Sequence, residues 1–225
     1  MLSSMIKLKD VSLLMRSVES ISSFIPEGNF RFNEKGIQFR ATDPSQVVLV
    51  DYAMDKKLFD SFDVEPAFVG INLAELNRIV SRALPSDTVS INLSESELEV
   101  SFSGDFERSF KLPLIDIADS EPSLPDSKYD VAVEINARLL KEVLKDSALF
   151  SSSVLLRTKS GKFFVESKGT SGMLNANSSQ AKGVTVKSKA DVTSKYSLGY
   201  LQNIVKEADP DSNVLLELKS DSPMK

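Results

Sequence analysis

The chain of 225 residues nearly repeats itself at an offset of 125 positions. Residues 77–93 align without a gap to residues 202–218. The identical pairs in this stretch are Ile79/Ile204, Val80/Val205, Ala83/Ala208, Pro85/Pro210, Val89/Val214 and Leu93/Leu218. The same offset pairs Gly36 with Gly161, Phe39 with Phe164, Leu14 with Leu139 and Val18 with Val143. One offset shared by separated patches predicts two copies of one structural unit, each with its own hydrophobic core.

The residue types that are missing limit the chemistry of the chain. Cysteine and histidine are both absent, while 26% charged and 41% hydrophobic residues are ordinary for a globular protein. A disulfide, a thiolate nucleophile, a Cys/His zinc site and a Ser-His-Asp triad are therefore excluded. Histidine is also the usual acid–base group of enzymes. Composition thus argues against an enzyme, and we expect neither a metal nor another cofactor.

The sequence gives no sign of a membrane protein. It has no run of about 18 apolar residues, the length that a spanning helix needs. The first segment, MLSSMIKLKD, lacks the apolar region of a signal peptide. We therefore expect a cytoplasmic protein.

Hydrophobic spacing predicts an α+β fold in which each half runs strand, helix, strands, helix, strands. Apolar residues recur every three or four positions in four segments, which predicts helices at 10–24, 72–83, 136–149 and 196–208. The residues expected to face the core are Leu14, Val18 and Ile21 in the first helix and Leu139 and Val143 in the third. Strands are predicted at 5–8, 29–32, 37–41, 47–54, 69–71, 131–135, 154–156 and 163–166, with alternating stretches at 89–93, 98–102, 106–110 and 214–218 and two strands within 172–188. Alternation with one polar face indicates antiparallel sheets on which the helices pack.

An acidic segment with several prolines separates the halves. Pro113, Pro122 and Pro125 fall in this segment, and proline removes the donors that a strand ladder needs. We predict an N-terminal domain at 1–112, an extended connector at 113–130 that packs on the surface, and a C-terminal domain at 131–225. Because Lys225 matches Val100 at the offset of 125, we expect the second copy to lack its last strand, about 15–20 residues.

Positive charge is concentrated in the predicted helices of an acidic chain. The net charge is −5, whereas the segments 7–20, 72–83, 136–147 and 195–207 each carry +1, so that the rest of the chain holds −9. Arg138, Lys141 and Lys145 share one helix face, as do Arg78 and Arg82. A solvated polar face explains any single helix. Agreement among all four indicates a shared basic surface that contacts phosphates without reading base sequence.

Four segments in one order resemble the sliding clamps of the proliferating cell nuclear antigen (PCNA) family. GIQFRATDPSQVVLVDYAM at 36–54 is similar to the family's signature region, and RSFKLPLIDI at 108–117 to the strand that enters its interdomain connector. SKYSLGYLQNIVKEA at 194–208 resembles the last helix, and SDSPMK at 220–225 a late strand. The resemblance extends from residue 5 to residue 225. It implies the DNA-clamp fold, with two similar domains that each pack two helices on antiparallel sheets.

The resemblance implies a homotrimeric ring that encircles duplex DNA, with edge strands near 105–111 and 172–179 joining neighbouring subunits head to tail. The interface residues implied are Phe106, Arg108, Phe110, Met173, Asn175 and Asn177. The DNA-facing residues implied are Arg16, Arg78, Arg82, Arg138, Lys141, Lys145 and Lys206. Gly199 stands where many relatives carry a basic residue.

The resemblance also implies that short peptides of partner proteins bind an apolar pocket beside the connector. The pocket residues implied are Thr42, Gln46, Val47, Leu49, Pro122, Leu124, Pro125 and Pro223. Thr42 replaces a larger apolar residue, and the family's C-terminal tail is missing, so we expect weaker binding or a different set of partners. The partners implied are DNA polymerase, clamp loader, flap endonuclease and DNA ligase. For Val47 and Leu49, strand core is the alternative.

Two other interpretations stay open beside a non-catalytic clamp that gives DNA polymerase its processivity and recruits replication and repair proteins. The first is an enzyme that binds Mg²⁺ through carboxylates clustered in the sequence, although solvation explains them as well. Those carboxylates are Asp43, Asp51, Asp55 and Asp60. The second is a subunit of a heterotrimeric or checkpoint-type clamp, because one chain does not show partner complementarity. An archaeal clamp would work at the nucleoid and a eukaryotic one in the nucleus.

Overall fold

The structure, a computed structural model, describes residues 4–8, 10–119, 121–126, 128–179, 182–188 and 190–225. The chain divides into two compact units, an N-terminal unit of Met1–Leu124 and a C-terminal unit of Pro125–Lys225. Lys9, which contributes to the predicted charge of the first helix, lies outside the described residues. Among those described, no helix has both the length and the apolar character that crossing a membrane requires.

The N-terminal unit contains two antiparallel sheets, two α-helices and a short 3-10 helix at Lys56–Leu58. Its elements are β1 Ser4–Leu8, α1 Val11–Ser22, β2 Glu27–Asn33, β3 Gly36–Thr42, β4 Leu49–Asp55, β5 Ser61–Asp63, β6 Ala67–Asn72, α2 Leu73–Val80, β7 Thr88–Leu93, β8 Glu97–Ser103 and β9 Glu107–Pro113. One sheet has the order β5-β1-β7-β8-β9 and the other the order β4-β3-β2-β6. The core contains the apolar residues that face inward from these sheets and from both helices.

The C-terminal unit follows the same plan. Its elements are β10 Val131–Asn136, α3 Ala137–Ala148, β11 Ser153–Lys159, β12 Lys162–Gly169, β13 Gly172–Asn177, β14 Val184–Val186, β15 Val192–Ser197, α4 Leu198–Lys206 and β16 Asn213–Leu218. The sheets have the orders β14-β10-β16 and β13-β12-β11-β15. Beyond β16, Lys225 exchanges two backbone hydrogen bonds with Glu217, at 2.6 and 3.1 Å.

Side-chain caps explain where three of the helices begin. Asp10 accepts a hydrogen bond from the Ser12 amide at 2.9 Å, and Asn72 accepts one from the Glu75 amide at 2.9 Å. Asn136 accepts from the amides of Arg138 and Leu139 at 3.1 and 3.4 Å. Each cap satisfies backbone donors that the first turn of a helix leaves unpaired, and is worth about 1 kcal/mol. The predicted N-caps Asn72 and Asn136 are confirmed.

The structural repeat does not keep a single offset along the chain. The buried positions Val11, Leu14, Val18 and Ile21 of α1 match Ala137, Leu140, Leu144 and Ser147 of α3, an offset of 126. The pairs that close the hairpins, Asn33↔Gly36 and Lys159↔Lys162, give 126 as well. Leu73, Leu76 and Val80 of α2 match Leu198, Leu201 and Val205 of α4 at 125. The repeat is confirmed, but the pairs Leu14/Leu139, Val18/Val143, Gly36/Gly161 and Phe39/Phe164 are wrong by one residue, because the N-terminal unit has one more residue between β3 and α2.

Several other predicted positions and boundaries are also wrong. Leu139, predicted for the core, is 43% exposed, and Leu140 takes its place. Val47 precedes β4 instead of opening it. The last helix begins at Leu198 instead of 196, because Val192–Ser197 forms the strand β15, which the sequence prediction missed together with β5. The helix α2 ends at Val80, so Arg82 lies in the following turn and not on a helix face with Arg78.

Candidate functional site

In the N-terminal unit, the predicted DNA-facing residues lie on or after α1 and α2. Arg78 is 76% exposed and its Nη1 atom lies 2.8 Å from Oε1 of Glu75 on the same helix. Arg16, on α1, is partly exposed. The two helices are tied together by Asn77 of α2, whose Nδ2 donates to Oε2 of Glu19 on α1 at 2.8 Å. The helix surface of this unit therefore carries few charges, and the positive charge of Arg78 is neutralised by Glu75.

In the C-terminal unit, α3 and α4 carry more positive charge. Arg138, 64% exposed, pairs with Asp211 at 2.8 Å, and Lys145, 66% exposed, pairs with Glu142 at 2.7 Å. Lys206 at the end of α4 lies 3.6 Å from Glu207. Exposed pairs of this kind contribute about 0–1 kcal/mol and are screened by salt. A competing phosphate therefore exchanges with such carboxylates at low cost.

The observed helix ends lower the predicted charge of +1 per helix. α1 contains Arg16 and Glu19, and α2 contains Glu75 and Arg78, so each is neutral. α3 keeps +1, because Arg138, Lys141 and Lys145 outnumber Glu142 and Asp146, and α4 keeps +1 through Lys206. The predicted tally of +4 also counted Lys7, Arg82 and Lys195, which lie outside the observed helices, and Lys9, which is outside the described residues. A net positive charge is thus found only on α3 and α4, in the C-terminal unit.

Lys141 does not extend into solvent with its neighbours on α3. Its Nζ donates to the carbonyl of Lys206 at 2.8 Å and to the carbonyl of Ala208 at 2.6 Å, both at the end of α4. The last carbonyls of a helix have no partner within it and carry partial negative charge. The ammonium of Lys141 therefore satisfies the end of the neighbouring helix.

Arg108 of β9 makes the equivalent contact in the N-terminal unit. Its Nη1 donates to the carbonyl of Arg82 at 2.9 Å, just past the end of α2, and its Nη2 pairs with Oδ2 of Asp87. The side chain of Asp87 is 1% exposed, and its Oδ2 also accepts from the Leu84 amide at 2.7 Å. The guanidinium lies over the ring of Phe102 at 5.2 Å. Arg108, predicted for a subunit interface, thus binds within its own unit.

The two strands predicted to join subunits are both sheet edges within the described residues. β9 pairs only with β8, and β13 pairs only with β12. Along β13 the exposed side chains are Met173, Asn175 and Asn177, all on one face. Phe110 of β9 is half-buried, with its ring 5.7 Å from that of Phe102, while Phe106 is 79% exposed in the turn before β9. Unpaired strand edges next to exposed apolar side chains are open to further strand pairing.

Asp43 builds the loop between β3 and β4. Its Oδ1 accepts from the amides of Val47 and Val48, both at 2.7 Å, and its Oδ2 accepts from Ser45 at 3.2 Å. Gln46 has a positive φ of 57°, which the tight loop requires. Val47 is held at the tip with 63% exposure, so the strand-core alternative for it is wrong, and Leu49 at the start of β4 is half-buried.

The pKa of Asp43 reflects two opposed effects. Burial of the carboxyl favours the neutral acid and would raise its pKa, but the hydrogen bonds from Val48, Val47 and Ser45 stabilise the carboxylate more. The net result is a pKa below the usual value for an aspartate. The loop that carries Gln46 and Val47 therefore depends on an ionised side chain.

The first part of the connector packs on the N-terminal unit. Ile115 donates its amide to the carbonyl of Gly70 at 3.0 Å, and a Cβ at Gly70 would collide with the Ile115 carbonyl. Asn29 donates through Nδ2 to the carbonyls of Ile117 and Ala118 at 3.1 and 3.5 Å. The predicted packing of this segment on the surface is confirmed for these residues.

An ion network closes the connector over a groove of about 400 Å³. Arg31 binds Glu121 at 2.7 Å and Asp119 at 3.3 Å, and its guanidinium lies 4.2 Å above the Phe68 ring. Arg40 binds Glu121 at 3.1 Å and Asp51 at 2.9 Å. Glu121 is therefore shared by two arginines. Sequence reasoning missed this network, because its members lie up to 90 residues apart and no local pattern links them.

The structure separates the predicted pocket residues into groups. Thr42 and Pro122 line the groove, together with charged residues that the prediction of an apolar pocket did not include. Gln46 and Val47 lie on the Asp43 loop, and Leu124 is 48% exposed at the end of the N-terminal unit. Pro125 and Pro223 belong to the C-terminal unit, where both are exposed.

Three of the four carboxylates weighed as a Mg²⁺ site bind different partners. Asp43 binds backbone amides, Asp51 pairs with Arg40, and Asp55 accepts from the Lys57 amide at 2.8 Å to begin the 3-10 helix. No group of three or more acidic side chains suited to a metal occurs among the residues that the structure describes. The structure therefore does not support the enzyme interpretation based on these four aspartates.

The sequence is similar to those of known proteins. The family model for the N-terminal domain of proliferating cell nuclear antigen matches residues 1–119. The chain is 30% identical over 211 residues to DNA polymerase sliding clamp 1 of Thermococcus kodakarensis and to the DNA polymerase sliding clamp of Pyrococcus horikoshii, over 92% of this chain and 85% of each relative.

Solved structures share the fold over almost the whole chain. The crystal structure of PCNA from Thermococcus kodakaraensis gives a TM-score of 0.93 at 26% identity and covers 98% of this chain and 92% of that one. The crystal structure of proliferating cellular nuclear antigen from Entamoeba histolytica gives a TM-score of 0.90 at 24% identity and covers 100% of this chain and 92% of that one. The predicted α+β fold class with two similar domains is confirmed.

Proposed function

Since this chain belongs to the proliferating cell nuclear antigen family and is a DNA sliding clamp, we propose that three copies close head to tail into a ring around duplex DNA. Such a ring works as a scaffold without catalysis. Within each chain, residues 113–130 form the connector between the two domains. The observation that carries the assembly is that β9 and β13, an edge strand from each unit, lie beside exposed apolar side chains.

The ring closes when β9 of one subunit pairs with β13 of the next. Different strands on the two sides make this a head-to-tail contact, which gives a ring when the rotation between neighbouring subunits closes and an open filament when it does not. Phe106, Phe110 and Met173 supply apolar area at the joint, and Asn175 and Asn177 supply polar contacts at its rim. Pairing would remove the aggregation hazard that exposed strand edges bring.

The helices face the DNA and contact its phosphates. Arg16, Arg78, Arg138, Lys145 and Lys206 lie on the helices and Arg82 in the turn after α2. The carboxylate pairs of Arg78, Arg138 and Lys145 are exposed and weak, so phosphates replace them without a fixed register. Weak contacts of this kind suit a ring that slides, because affinity falls steeply with salt and no base sequence is read.

The Asp43 loop and the connector form the face that recruits partners. Val47 is displayed on a loop that Asp43 holds rigid, which is the arrangement that peptide recognition needs. DNA polymerase, the clamp loader, flap endonuclease and DNA ligase are the partners proposed for this face. Thr42 and the charges around Glu121 favour peptides with polar residues beside their apolar anchor.

Light scattering measures the proposed assembly. A chain that elutes at three times its own mass at micromolar concentration supports the homotrimer, and a polymerase-tail peptide should bind without changing the mass of the ring. A chain that stays monomeric alone but assembles with other clamp subunits would replace the homotrimer by a heterotrimeric clamp. A monomer under both conditions contradicts the ring.

Charge reversal tests the DNA-facing surface. Arg78→Glu and Lys145→Glu together should weaken duplex binding and flatten its dependence on salt, by about one unit of slope for each lost phosphate contact. The matched control is Lys35→Glu with Lys162→Glu, which changes charge equally in the turn before β3 and at the first residue of β12. Equal losses in both double variants would mean that only net charge matters and that the helices do not face DNA.

A further inference from the structure

We propose that Lys141 is a positioning residue that fixes the C-terminal end of α4 and so holds Lys206 against DNA, instead of contacting DNA itself. The inference rests on the proposed function for its DNA readout. Arg138, Lys141 and Lys145 lie on the same face of α3. Under this proposal Arg138 and Lys145 contact phosphates, whereas Lys141 holds the end of α4.

The contact geometry is that of a helix-end clamp. Nζ of Lys141 binds the carbonyls of Lys206 and Ala208 at 2.8 and 2.6 Å. An ammonium has three donors, and two of them are committed to these acceptors. The position is also favourable for a cation, since the helix dipole places negative charge at this end.

The start of α3 also binds Asp211 and Ser212, in the segment that follows α4. The Ala137 amide and Nδ2 of Asn136 both donate to the carbonyl of Ser212, at 2.9 and 3.3 Å. Arg138 pairs with Asp211 at 2.8 Å. Lys141 lies about one helical turn further along, so the segment after Lys206 is held by the N-terminal part of α3.

Lys145 provides a matched control on the same helix. It carries the same charge one turn further on, but its Nζ pairs with Glu142 of α3 itself at 2.7 Å and contacts no carbonyl of α4. Replacing either lysine by Met removes one positive charge and keeps the length of the side chain. Lys141→Met therefore removes the clamp, whereas Lys145→Met removes only a pair within α3 and leaves the clamp in place.

The experiment is a double-mutant cycle on the full chain, with duplex DNA titrated at several salt concentrations. We expect Lys141→Met to weaken binding while Lys206 is present, and the variant with both Lys141→Met and Lys206→Met to bind no more weakly than Lys206→Met alone. Lys145→Met should lower the salt slope by about one unit and add to Lys206→Met. Lys141→Arg, which keeps the donors, should restore binding.

Two results would overturn the proposal. Additive losses from Lys141→Met and Lys206→Met, with a lower salt slope, would make Lys141 a direct phosphate contact. A lower melting temperature with unchanged DNA affinity would make it only structural. If the unaltered protein shows no salt-dependent binding, the proposed function fails. Hydrogen exchange then still tests the clamp, because Lys141→Met but not Lys145→Met should speed exchange of the amides at 207–212.

Discussion

The two units secure the end of their second helix with cations from different elements. In the N-terminal unit, Arg108 reaches from β9 to the carbonyl of Arg82 and to the buried carboxylate of Asp87. In the C-terminal unit, Lys141 reaches from α3 to two carbonyls and no carboxylate. The repeat thus preserves the position that must be satisfied and leaves open which residue satisfies it. The chemistry predicts unequal consequences when each cation is lost.

The loop that follows the third strand also differs between the two units. β3 and β4 are joined by a loop that the Asp43 carboxylate organises through three amides. β12 and β13 are joined by Thr170 and Ser171 between two glycines. The φ of 154° at Gly172 is one that residues with a side chain rarely adopt. One unit therefore has a displayed loop that depends on charge, and the other a short turn that depends on glycine.

Arg108→Met should give the largest loss of stability of the single changes considered. It leaves the carboxylate of Asp87, 1% exposed, without its cation, which typically costs about 3–5 kcal/mol. Lys141→Met uncovers carbonyls that water can reach and should cost about 1 kcal/mol. Urea unfolding followed by circular dichroism measures both.

A double variant checks the reason for that difference. Asp87→Leu together with Arg108→Met removes both charges and should recover much of the loss, because the penalty comes from the unpaired carboxylate. Equal losses from Arg108→Met and Lys141→Met would contradict the contrast between the two clamps.

Asp43→Ala should come next, with a loss of about 2–3 kcal/mol, because three amides lose a charged acceptor. The exposed Val47 should become mobile, so a polymerase-tail peptide should bind more weakly. Asp43→Asn keeps an oxygen acceptor and should lose less. Calorimetry of peptide binding measures the effect, and unchanged affinity in Asp43→Ala would separate the loop from recruitment.

Acid should act on the N-terminal unit through the same residue. The pKa of Asp43 is lower when folded than the value of about 3.9 of a free aspartate, so its contribution is complete above that value. The contribution is lost as the pH falls from there through the lower folded pKa. Between the wild type and Asp43→Asn, the stability difference should therefore shrink on acidification. A constant difference would exclude this origin.

Glu121→Gln should have the smallest effect on stability, about 1 kcal/mol or less, because the ion pairs with Arg31 and Arg40 are one-third exposed. Hydrogen exchange at 115–119 should rise in the variant, and high salt should raise it in the wild type. The control is Glu217→Gln, which removes a carboxylate from the C-terminal unit. Unchanged exchange at the connector would show that the backbone contacts at Gly70 and Asn29 suffice.

Periodicity and capping residues predicted much of the fold, because they are local properties. Asn72 and Asn136 marked helix starts, and the 3.6-residue spacing located Leu14, Val18 and Ile21. The same spacing failed at Leu139, where the core face is shifted by one residue relative to the assumed offset. β15 was missed because its sequence VTSKYS alternates burial without alternating hydrophobicity clearly.

The use of the charged residues was less predictable than the fold. Spacing on α3 showed that Lys141 shares a face with Arg138 and Lys145 but not that α4 lies opposite it. Arg31, Arg40 and Glu121 meet through tertiary contacts that leave no trace in the sequence nearby. Asp43 had a readable signal, since an aspartate before Pro44 and Ser45 is typical of a turn held by its side chain.

Retention of the loaded ring on DNA of different topology tests the sliding clamp most directly. The protein is loaded onto a nicked circular duplex with a clamp loader, and the DNA is then cut once. We predict that the ring stays on the circle at moderate salt and is lost through the ends after the cut. Equal retention on circular and linear DNA, or loss from both, would contradict a closed ring that encircles the duplex.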